Sequence, residues 1–320
     1  MVTEKNKKYD VVGIGNAIID LIAEVDDSFL EKNNITKGGM SLVDYDLANK
    51  IGEEVKIVKT ISGGSVANSI VCIAQQGLKT AFIGKVNEDE LGYEFKNGLQ
   101  KEEVDFKFIP SLAKNYTARC IILVTPDAER TMNTYLGISQ ELSEDDVDME
   151  VIASSSILYL EGYLWDLADA KNAIKQSIIK AKESSTMVAF SVSDAFCIDR
   201  FRDEFIDLVK KSADIIFANE SEVISLFQSK SLEEAVQECQ NINKIFAITL
   251  GSKGAMIVKE NEIIEISPEQ IDNLVDTTGA GDLFAAGFLS KYIRSKDLKL
   301  SGKEGVSLAS QIIQKFGARL

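Results

Sequence analysis

The second half of the chain, from about residue 157, alternates between short apolar runs and longer amphipathic segments. Apolar runs of this length predict buried strands, and the amphipathic segments predict helices that connect them. Parallel strands need such crossovers, so the alternation predicts an α/β fold whose ligands bind beyond the carboxyl ends of the strands. The predicted strands are 157–161, 187–192, 214–218 and 245–250, and the predicted helices are 168–183, 201–212, 221–227, 231–242 and 303–316.

The first half follows a different pattern, in which strand-like runs succeed one another. The runs at 106–109, 118–125 and 131–136 have no helical segment between them. Consecutive strands of this kind predict a small sheet set apart from the main body. We expect this lid sheet to be built from about 17–45 and 104–136.

Glycines and loose alternation over residues 21–60 favour short strands and a loop rather than a packed helix. The chain of 320 residues contains only three prolines, and its composition is steady throughout. We therefore interpret residues 1–320 as a single domain with a sheet-like appendage.

Composition excludes several kinds of chemistry. The chain has no histidine, which removes Ser-His-Asp and Cys-His catalysis and most transition-metal sites. A formal net charge of −15 disfavours binding to nucleic acid. No apolar run approaches the roughly 18 residues of a membrane span. We therefore expect a cytoplasmic protein without membrane or nucleic-acid partners, whose acid–base chemistry falls to carboxylates, Lys, Tyr or Cys.

Residues 276–289 carry a carboxylate into an otherwise apolar helix. Gly279, Ala280 and Gly281 precede Asp282, which is followed by a run typical of a buried helix. Small residues let a ligand approach the backbone, and the unpaired N–H groups of a first helical turn bind anions. This arrangement predicts an anion cradle beside a general base, although an Asp that merely caps a core helix fits the same residues.

Two earlier glycine turns offer polar side chains for hydroxyl groups. Asn16 and Asp20 follow the strand that ends near residue 14, and a strand-end turn explains them equally well. Gly63 and Gly64 open a helix whose first turn holds Asn68. The paired glycines admit a polar ligand, whereas the alternative is an ordinary glycine-rich helix start.

Further polar groups follow the last two predicted parallel strands. Asn219 and Glu222 lie on one face of a helix start, where hard oxygen ligands suit Mg²⁺ or its waters. A capping box has the same spacing. Thr249, Gly251 and Gly254 offer a hydroxyl and open backbone to a nucleotide, and a plain hairpin turn is the alternative.

Arg130 and Asn133 lie at a turn of the predicted lid sheet. The guanidinium group of Arg130 could reach a phosphate there. An exposed turn arginine without function is the commoner case.

Three of these motifs together resemble one enzyme family. The run Asp-Thr-Thr-Gly-Ala-Gly-Asp at 276–282 resembles the C-terminal signature of the ribokinase-like (PfkB) carbohydrate kinases. Residues 219–222 resemble the N-x-x-E motif of that family, and 62–64 with Asn68 resemble its sugar-binding glycine pair. The order and separation of the motifs match along nearly the whole chain.

The resemblance implies a three-layer α/β/α sandwich with a small β-sheet lid, and it implies ATP and Mg²⁺ with K⁺ as a possible monovalent cation near Asp276. Asp282 would be the base, and the backbone of 279–281 the anion hole. The implied acceptor residues are Asn16, Asp20, Gly63, Gly64, Asn68, Arg130 and Asn133, and the implied residues for nucleotide and Mg²⁺ are Asn219, Glu222, Thr249, Gly251 and Gly254.

Within the family, residues 15–20, 63–69 and 130–133 look most like those of adenosine kinases. This resemblance implies phosphorylation of adenosine at its 5′-hydroxyl, with ribokinase or fructokinase activity as the alternative. A non-catalytic sugar or nucleoside sensor is a third reading. A dinucleotide-dependent oxidoreductase is disfavoured by the broken glycine fingerprint at 13–18. The family resemblance allows a monomer or a homodimer through the lid.

Overall fold

The computed structural model describes residues 7–109, 114–127 and 129–320. In chain order the strands are β1 (Tyr9–Ile14), β2 (Ile18–Glu24), β3 (Gly39–Leu42), β4 (Ile57–Gly63), β5 (Thr80–Ile83), β6 (Asp105–Phe106), β7 (Ala118–Val124), β8 (Arg130–Tyr135), β9 (Ser155–Glu161), β10 (Met187–Ser191), β11 (Ile215–Asn219), β12 (Ile245–Thr249), β13 (Ala255–Lys259) and β14 (Glu262–Ile266). The α-helices are α1 (Asp27–Lys32), α2 (Tyr45–Glu54), α3 (Ser65–Gln75), α4 (Glu90–Lys101), α5 (Met149–Ala153), α6 (Ala168–Glu183), α7 (Ala195–Lys211), α8 (Glu220–Phe227), α9 (Leu232–Gln240), α10 (Ala280–Ser295) and α11 (Leu298–Ile312).

The main sheet has the strand order β14-β13-β12-β11-β10-β9-β1-β5-β6. Neighbours from β12 to β6 run parallel, which confirms the predicted parallel α/β arrangement. Strands β12, β13 and β14 are joined antiparallel, and the last two were not predicted. The turn after β12 is therefore a hairpin turn, one of the two readings that the sequence left open there.

Helices cover both faces of the main sheet. Along β9, Leu158 and Leu160 point into one hydrophobic core, while Ile157 and Tyr159 point into a second core on the opposite face. The first core contains side chains of α6, α7, α8 and α9, and the second contains side chains of α3, α4, α10 and α11. The fold is the three-layer α/β/α sandwich that the resemblance implied.

The second sheet, with the order β3-β8-β7-β2-β4, is the lid sheet. Its outer face is covered by α1 and α2, whose Leu30, Ala48 and Ile51 pack against Ile121 and Leu123 of β7. The side chains on its inner face are turned toward the carboxyl ends of the main strands. The expected lid is thus present, and it places one sheet face over those strand ends.

The expectation of short strands and a loop over residues 21–60 was wrong in part, because α1 and α2 lie there. Helix α2 begins after Asp44, whose side chain accepts the N–H of Leu47 at 2.8 Å. Such a cap starts a helix even where the apolar periodicity is weak. The N-cap residue Asp44 was the signal in the sequence that could have indicated α2.

The lid sheet also differs from its predicted boundaries. Strands β2, β3, β7 and β8 come from the predicted segments, but β4 lies outside them and pairs with β2. Strand β6 lies inside them and yet pairs with β5 in the main sheet, where Phe106 is buried. Residues 110–113 and 128 of the predicted segments lie outside the described residues.

Helix ends follow capping side chains. Helix α6 matches its prediction, whereas α7 begins earlier than predicted because Asp194 accepts the N–H of Cys197 at 2.7 Å. Helix α11 likewise begins earlier than predicted, after Asp297, which accepts the N–H of Leu300 at 2.8 Å. Among the described helices, none combines the length and apolar character needed to cross a bilayer. The cytoplasmic location stays a prediction.

A buried ion pair joins the lid sheet to the loop before α10. Arg130, at the start of β8, donates from Nη1 to Oδ2 of Asp276, and the two side chains are 9% and 4% exposed. Asp276 also accepts the N–H groups of Thr278 at 3.0 Å and Gly317 at 2.9 Å. Because a buried carboxylate needs such partners, these contacts fix the lid relative to the loop.

Replacing Arg130 with Met should lower the free energy of unfolding by about 3–5 kcal/mol, because the Asp276 charge stays buried without its cation. Lys37→Met is a matched control, since Lys37 forms a surface ion pair with Asp27 at 2.7 Å and should cost far less. Urea unfolding of both variants without ligand measures the difference. Equal losses would contradict a structural role for the buried pair.

Candidate active site

Two clefts meet at the start of α10. The lid cleft, of about 490 Å³, lies between the inner face of the lid sheet and the carboxyl ends of β9 to β12. The α11 cleft, of about 450 Å³, lies between α10, α11 and the turn after β12. Thr249, Ala280, Gly281 and Phe284 line both clefts. A molecule in one cleft therefore faces a molecule in the other across the first turn of α10.

The turn before α10 depends on glycine. Gly279 has a φ of +79°, and a Cβ there would lie 2.7 Å from Cβ of Ala318. At Gly281 a Cβ would meet nothing within 4 Å, so the side facing the clefts is open. The N–H of Ala280 donates to the carbonyl of Thr277 at 3.2 Å. The other N–H groups of this turn are therefore the ones that can bind an anion.

Asp282 is held in place by two side chains of α3. Ser65 Oγ donates to its Oδ1 at 2.7 Å, and Asn68 Nδ2 donates to its Oδ2 at 3.0 Å. Burial raises the pKa of Asp282 to about 6, although the bonds from Asn68 and Ser65 and the charge of Arg319 oppose the shift. A carboxylate with a pKa in this range is ionised at neutral pH and can accept a proton.

Three predicted acceptor residues line the lid cleft, namely Asp20, Gly64 and Asn68. Burial raises the pKa of Asp20 to about 6, and Arg319 and Arg130 lower it in part. Gly63 lies beside the cleft, where a Cβ would be 2.5 Å from Oδ2 of Asp20. Its lack of a side chain gives the Asp20 carboxylate room.

The other predicted acceptor residues do not line either cleft. Asn16 is buried, with its Nδ2 donating to Glu161 Oε1 at 2.9 Å and its Oδ1 accepting from Ser139 Oγ at 2.9 Å. Asn133 lies on the outer face of the lid sheet, since side chains alternate along a strand and its neighbours Met132 and Thr134 line the cleft. The structure thus turns the side chains of Asn16 and Asn133 away from the lid cleft. For Asn133, the alternation of side chains along β8 predicts this orientation.

Glu161 was missed by the sequence analysis. It ends β9, is 1% exposed, and accepts the N–H of Asn16 at 2.8 Å and the N–H of Val66 at 3.0 Å. Burial raises its pKa to about 7 against these bonds. Its carboxylate ties the turn after β1 to the start of α3, and so supports the residues that hold Asp282. A charge at the end of a buried strand was the available signal.

Asn219 and Glu222 line the lid cleft at the start of α8. They form a capping box, in which Glu222 accepts the N–H of Asn219 at 2.8 Å and Asn219 Oδ1 accepts the N–H of Glu222 at 2.9 Å. Because each carboxylate oxygen already accepts a bond from Asn219, the pair fits Mg²⁺ through water rather than directly. Burial also raises the pKa of Glu222 to about 7.

The predicted monovalent cation site at Asp276 fits less well. Its Oδ2 accepts from Arg130 and from the N–H of Gly317, and its Oδ1 accepts from the N–H of Thr278. A cation at this carboxylate would compete with the guanidinium group of Arg130. The groups around Asp276 therefore favour an ion pair over a bound K⁺.

The predicted nucleotide residues Thr249, Gly251 and Gly254 all line the α11 cleft. Gly251 and Gly254 have φ angles of +59° and +92°, which favour glycine in this hairpin turn. The rest of the lining is mainly apolar, and includes Ile271, Leu274, Val306, Ala309 and Ile313. An apolar slot leading to the start of a helix suits a flat aromatic base with a phosphate chain.

Comparison with known proteins gives the family. Residues 8–320 match the pfkB family of carbohydrate kinases, and the chain belongs to that family. It is an ATP-dependent kinase of the sugar and nucleoside kinase class, and such kinases typically use Mg²⁺.

Solved structures of two bacterial proteins resemble the chain closely. Adenosine kinase from Sinorhizobium meliloti is 40% identical with a TM-score of 0.90, covering 98% of this chain and 96% of that one. A probable sugar kinase from Rhizobium etli CFN 42 is also 40% identical with a TM-score of 0.90, covering 98% and 95%. Adenosine kinase from Saccharomyces cerevisiae is 26% identical, covering 96% and 95%. Other relatives are named sugar kinase, fructokinase and phosphofructokinase.

Replacing Gly281 with Ala should leave the fold stable, because the added methyl meets no atom within 4 Å and Ala favours a helix by up to about 1 kcal/mol. The same methyl stands where the two clefts meet, so kinase turnover should fall by roughly 10²-fold through misplacement of the bound phosphate.

Gly279→Ala is the contrasting variant, since its positive φ and the contact with Ala318 should cost about 1–3 kcal/mol of stability. Urea unfolding and ADP release measure both properties in each variant. Full turnover in Gly281→Ala would contradict phosphate passage along this turn.

Proposed function

We propose that this chain transfers the γ-phosphoryl group of ATP to the primary hydroxyl of a ribosyl acceptor, with adenosine as the acceptor and AMP as the product. One observation carries the proposal: the open backbone at Gly281 lines both clefts, and the next residue, Asp282, lines the lid cleft. The nucleotide would occupy the α11 cleft and the acceptor the lid cleft. The reacting groups would then meet beside an anion-binding helix start and a carboxylate.

In this reaction the carboxylate of Asp282 accepts the proton of the acceptor hydroxyl as its oxygen attacks the γ-phosphorus. Ser65 and Asn68 keep the carboxylate oriented. N–H groups of the first turn of α10 stabilise the charge on the phosphoryl oxygens. Mg²⁺, held through water by Asn219 and Glu222, would neutralise charge on the nucleotide phosphates.

The inner face of the lid sheet supports a nucleoside acceptor. Asp20 of β2 and Asn68 of α3 offer bonds to ring hydroxyls, while the rest of the inner face of the lid sheet is largely apolar. A flat base buries apolar surface there, whereas a free sugar would leave hydroxyls against it. The apolar lining of the lid is formed by Ile18, Cys120, Ile122 and Met132.

Free-sugar kinase activity of the ribokinase or fructokinase type is the second candidate, supported by the sugar kinase names among the relatives. Homodimerisation through the lid, dependence on K⁺ and a cytoplasmic location stay predictions. A non-catalytic sensor is disfavoured because Asp282 keeps both of its hydrogen-bond donors.

ADP release should be strong when MgATP is combined with adenosine, and weak with other nucleosides, ribose or fructose. The physical reason is that a nucleoside reaches the polar groups of the lid cleft and also covers its apolar side chains, whereas ribose or fructose reaches the polar groups alone. The preference for adenosine over other nucleosides rests on the resemblance to adenosine kinases. Turnover with ribose or fructose alone would show that the proposed acceptor is wrong and that the proposed phosphoryl transfer is right. Silence with every acceptor would refute the proposed substrate.

Asp282→Asn should lower turnover by roughly 10²–10⁴-fold, because an amide cannot accept the proton. Asp203→Asn, at an exposed position of α7, is the control and should keep full activity. In the unaltered chain, kcat/KM should fall about tenfold per pH unit below pH 6, since protonation removes the base at its pKa of about 6. Near-normal turnover in Asp282→Asn would rule out its role.

A further inference from the structure

The segment after α11 returns to the active site along the loop that precedes α10. Ile313 accepts the N–H groups of Val275 at 2.8 Å and Asp276 at 3.1 Å. Farther along, Gly317 donates its N–H to Asp276 at 2.9 Å, and Ala318 lines the lid cleft. These bonds build residues 313–320 into the wall of the site.

Arg319 extends from this segment to the residues around Asp282. Its Nε donates to Oδ1 of Asn68 at 3.2 Å, and Nδ2 of Asn68 donates to Oδ2 of Asp282 at 3.0 Å. An amide oxygen can only accept and an amide nitrogen can only donate. The bond from Arg319 therefore selects the orientation in which Asn68 donates to Asp282.

The Nη2 group of Arg319 has no hydrogen-bond partner among the residues that the structure describes, and it is buried. The charges of Asp20 and Asp282 both stabilise the guanidinium form. An arginine keeps its charge at neutral pH, and a buried donor without an acceptor is costly. Arg319 lies beside Asp20 and Asn68, which line the lid cleft, so a molecule in that cleft that presented an acceptor atom to Nη2 would remove the cost.

We propose that Arg319 is a positioning and specificity residue for the acceptor: Nε orients Asn68, and Nη2 donates a hydrogen bond to a ring hydroxyl oxygen of the bound ribosyl group. The inference rests on the proposed function. The neighbouring Asp20 carboxylate would accept the proton of the same hydroxyl pair, so the diol is recognised from both sides. Because Asp20 and Asp282 flank the guanidinium group, a phosphorylated acceptor is disfavoured at this position.

Arg319→Gln should raise the KM for the acceptor by roughly 10- to 100-fold, as expected for a lost hydrogen bond to a charged group, while the KM for ATP stays the same. Arg319→Lys should recover part of this loss, since it keeps the charge without the two separate donors. Lys315→Gln, an exposed change in the same segment, is the matched control.

The analogues 2′-deoxyadenosine and 3′-deoxyadenosine separate recognition from mere packing. In the unaltered enzyme, kcat/KM for one of these analogues should be lower than kcat/KM for adenosine. In Arg319→Gln the ratio of the adenosine value to the analogue value should be at least fivefold smaller. A loss of the same size in both proteins would overturn the inference while leaving the proposed function intact. The inference would also be overturned if Arg319→Gln changed neither the KM for adenosine nor the preference between adenosine and a phosphorylated acceptor.

A second readout does not require a correct acceptor. The charged groups facing Asp282 are Asp20 of β2, Glu161 of β9 and Arg319, and its hydrogen-bond donors are Ser65 and Asn68 of α3. Removing the only cation of this set in Arg319→Gln should raise the pKa of Asp282, measured by carboxyl ¹³C NMR with the signal identified by its absence in Asp282→Asn.

An unchanged pKa of Asp282 in folded Arg319→Gln would overturn the positioning role even if no acceptor in the panel were phosphorylated. If Arg319→Gln fails to fold, Arg319→Lys gives the same two measurements with the cation retained. It should then show a raised acceptor KM and a nearly normal pKa of Asp282, and normal values of both would overturn the inference.

Discussion

The carboxylate of Asp276 connects three separate parts of the chain. It accepts from Arg130 of the lid sheet, from the N–H of Thr278 in the loop before α10, and from the N–H of Gly317 after α11. A buried charge is tolerated only where such donors surround it, so each part is held where its donor meets the carboxylate. This one group therefore joins the start of α10, the lid and residues 313–320.

Buried carboxylates give the site its electrostatic character. Burial raises the pKa of Asp20 and Asp282 to about 6, and that of Glu161 and Glu222 to about 7. A carboxyl whose folded pKa lies above its unfolded value of about 4 binds its proton more tightly in the native state. Its contribution to stability is complete below about pH 4 and is lost as the pH rises through 6 and 7. The site therefore trades stability at neutral pH for carboxylates ready to accept protons.

Local patterns predicted much of the fold and the parts of the site that lie within one motif. Alternation of apolar runs was enough for β9 to β12, and small residues before a buried helix were enough for Gly279 to Asp282. Side-chain caps at Asp44, Asp194 and Asp297 are also local, and attention to them would have indicated α2 and corrected the starts of α7 and α11.

Contacts between distant residues could not be predicted in this way. Arg130 meets Asp276, Arg319 meets Asn68, and Glu161 meets Asn16 across separations of more than 140 residues, for reasons that only the packed layers supply. Asn16 and Asn133 were assigned to the acceptor from their places at a strand end and a turn and from the family resemblance. Their polar atoms are instead turned to protein partners, because burial and strand alternation decide where a side chain points.

The reaction is easier to infer than its substrate because the two depend on residues in different parts of the structure. The groups that we propose for phosphoryl transfer lie on the main body, in the first turns of α3, α8 and α10, where helix geometry repeats in any chain with the same motifs. The groups that we propose to distinguish a nucleoside from a free sugar lie on the inner face of the lid sheet. Those side chains need only be of a certain size and polarity, so the three family signature motifs do not contain them. A change at Met132 or Ile122 could alter the acceptor and leave every signature residue in place.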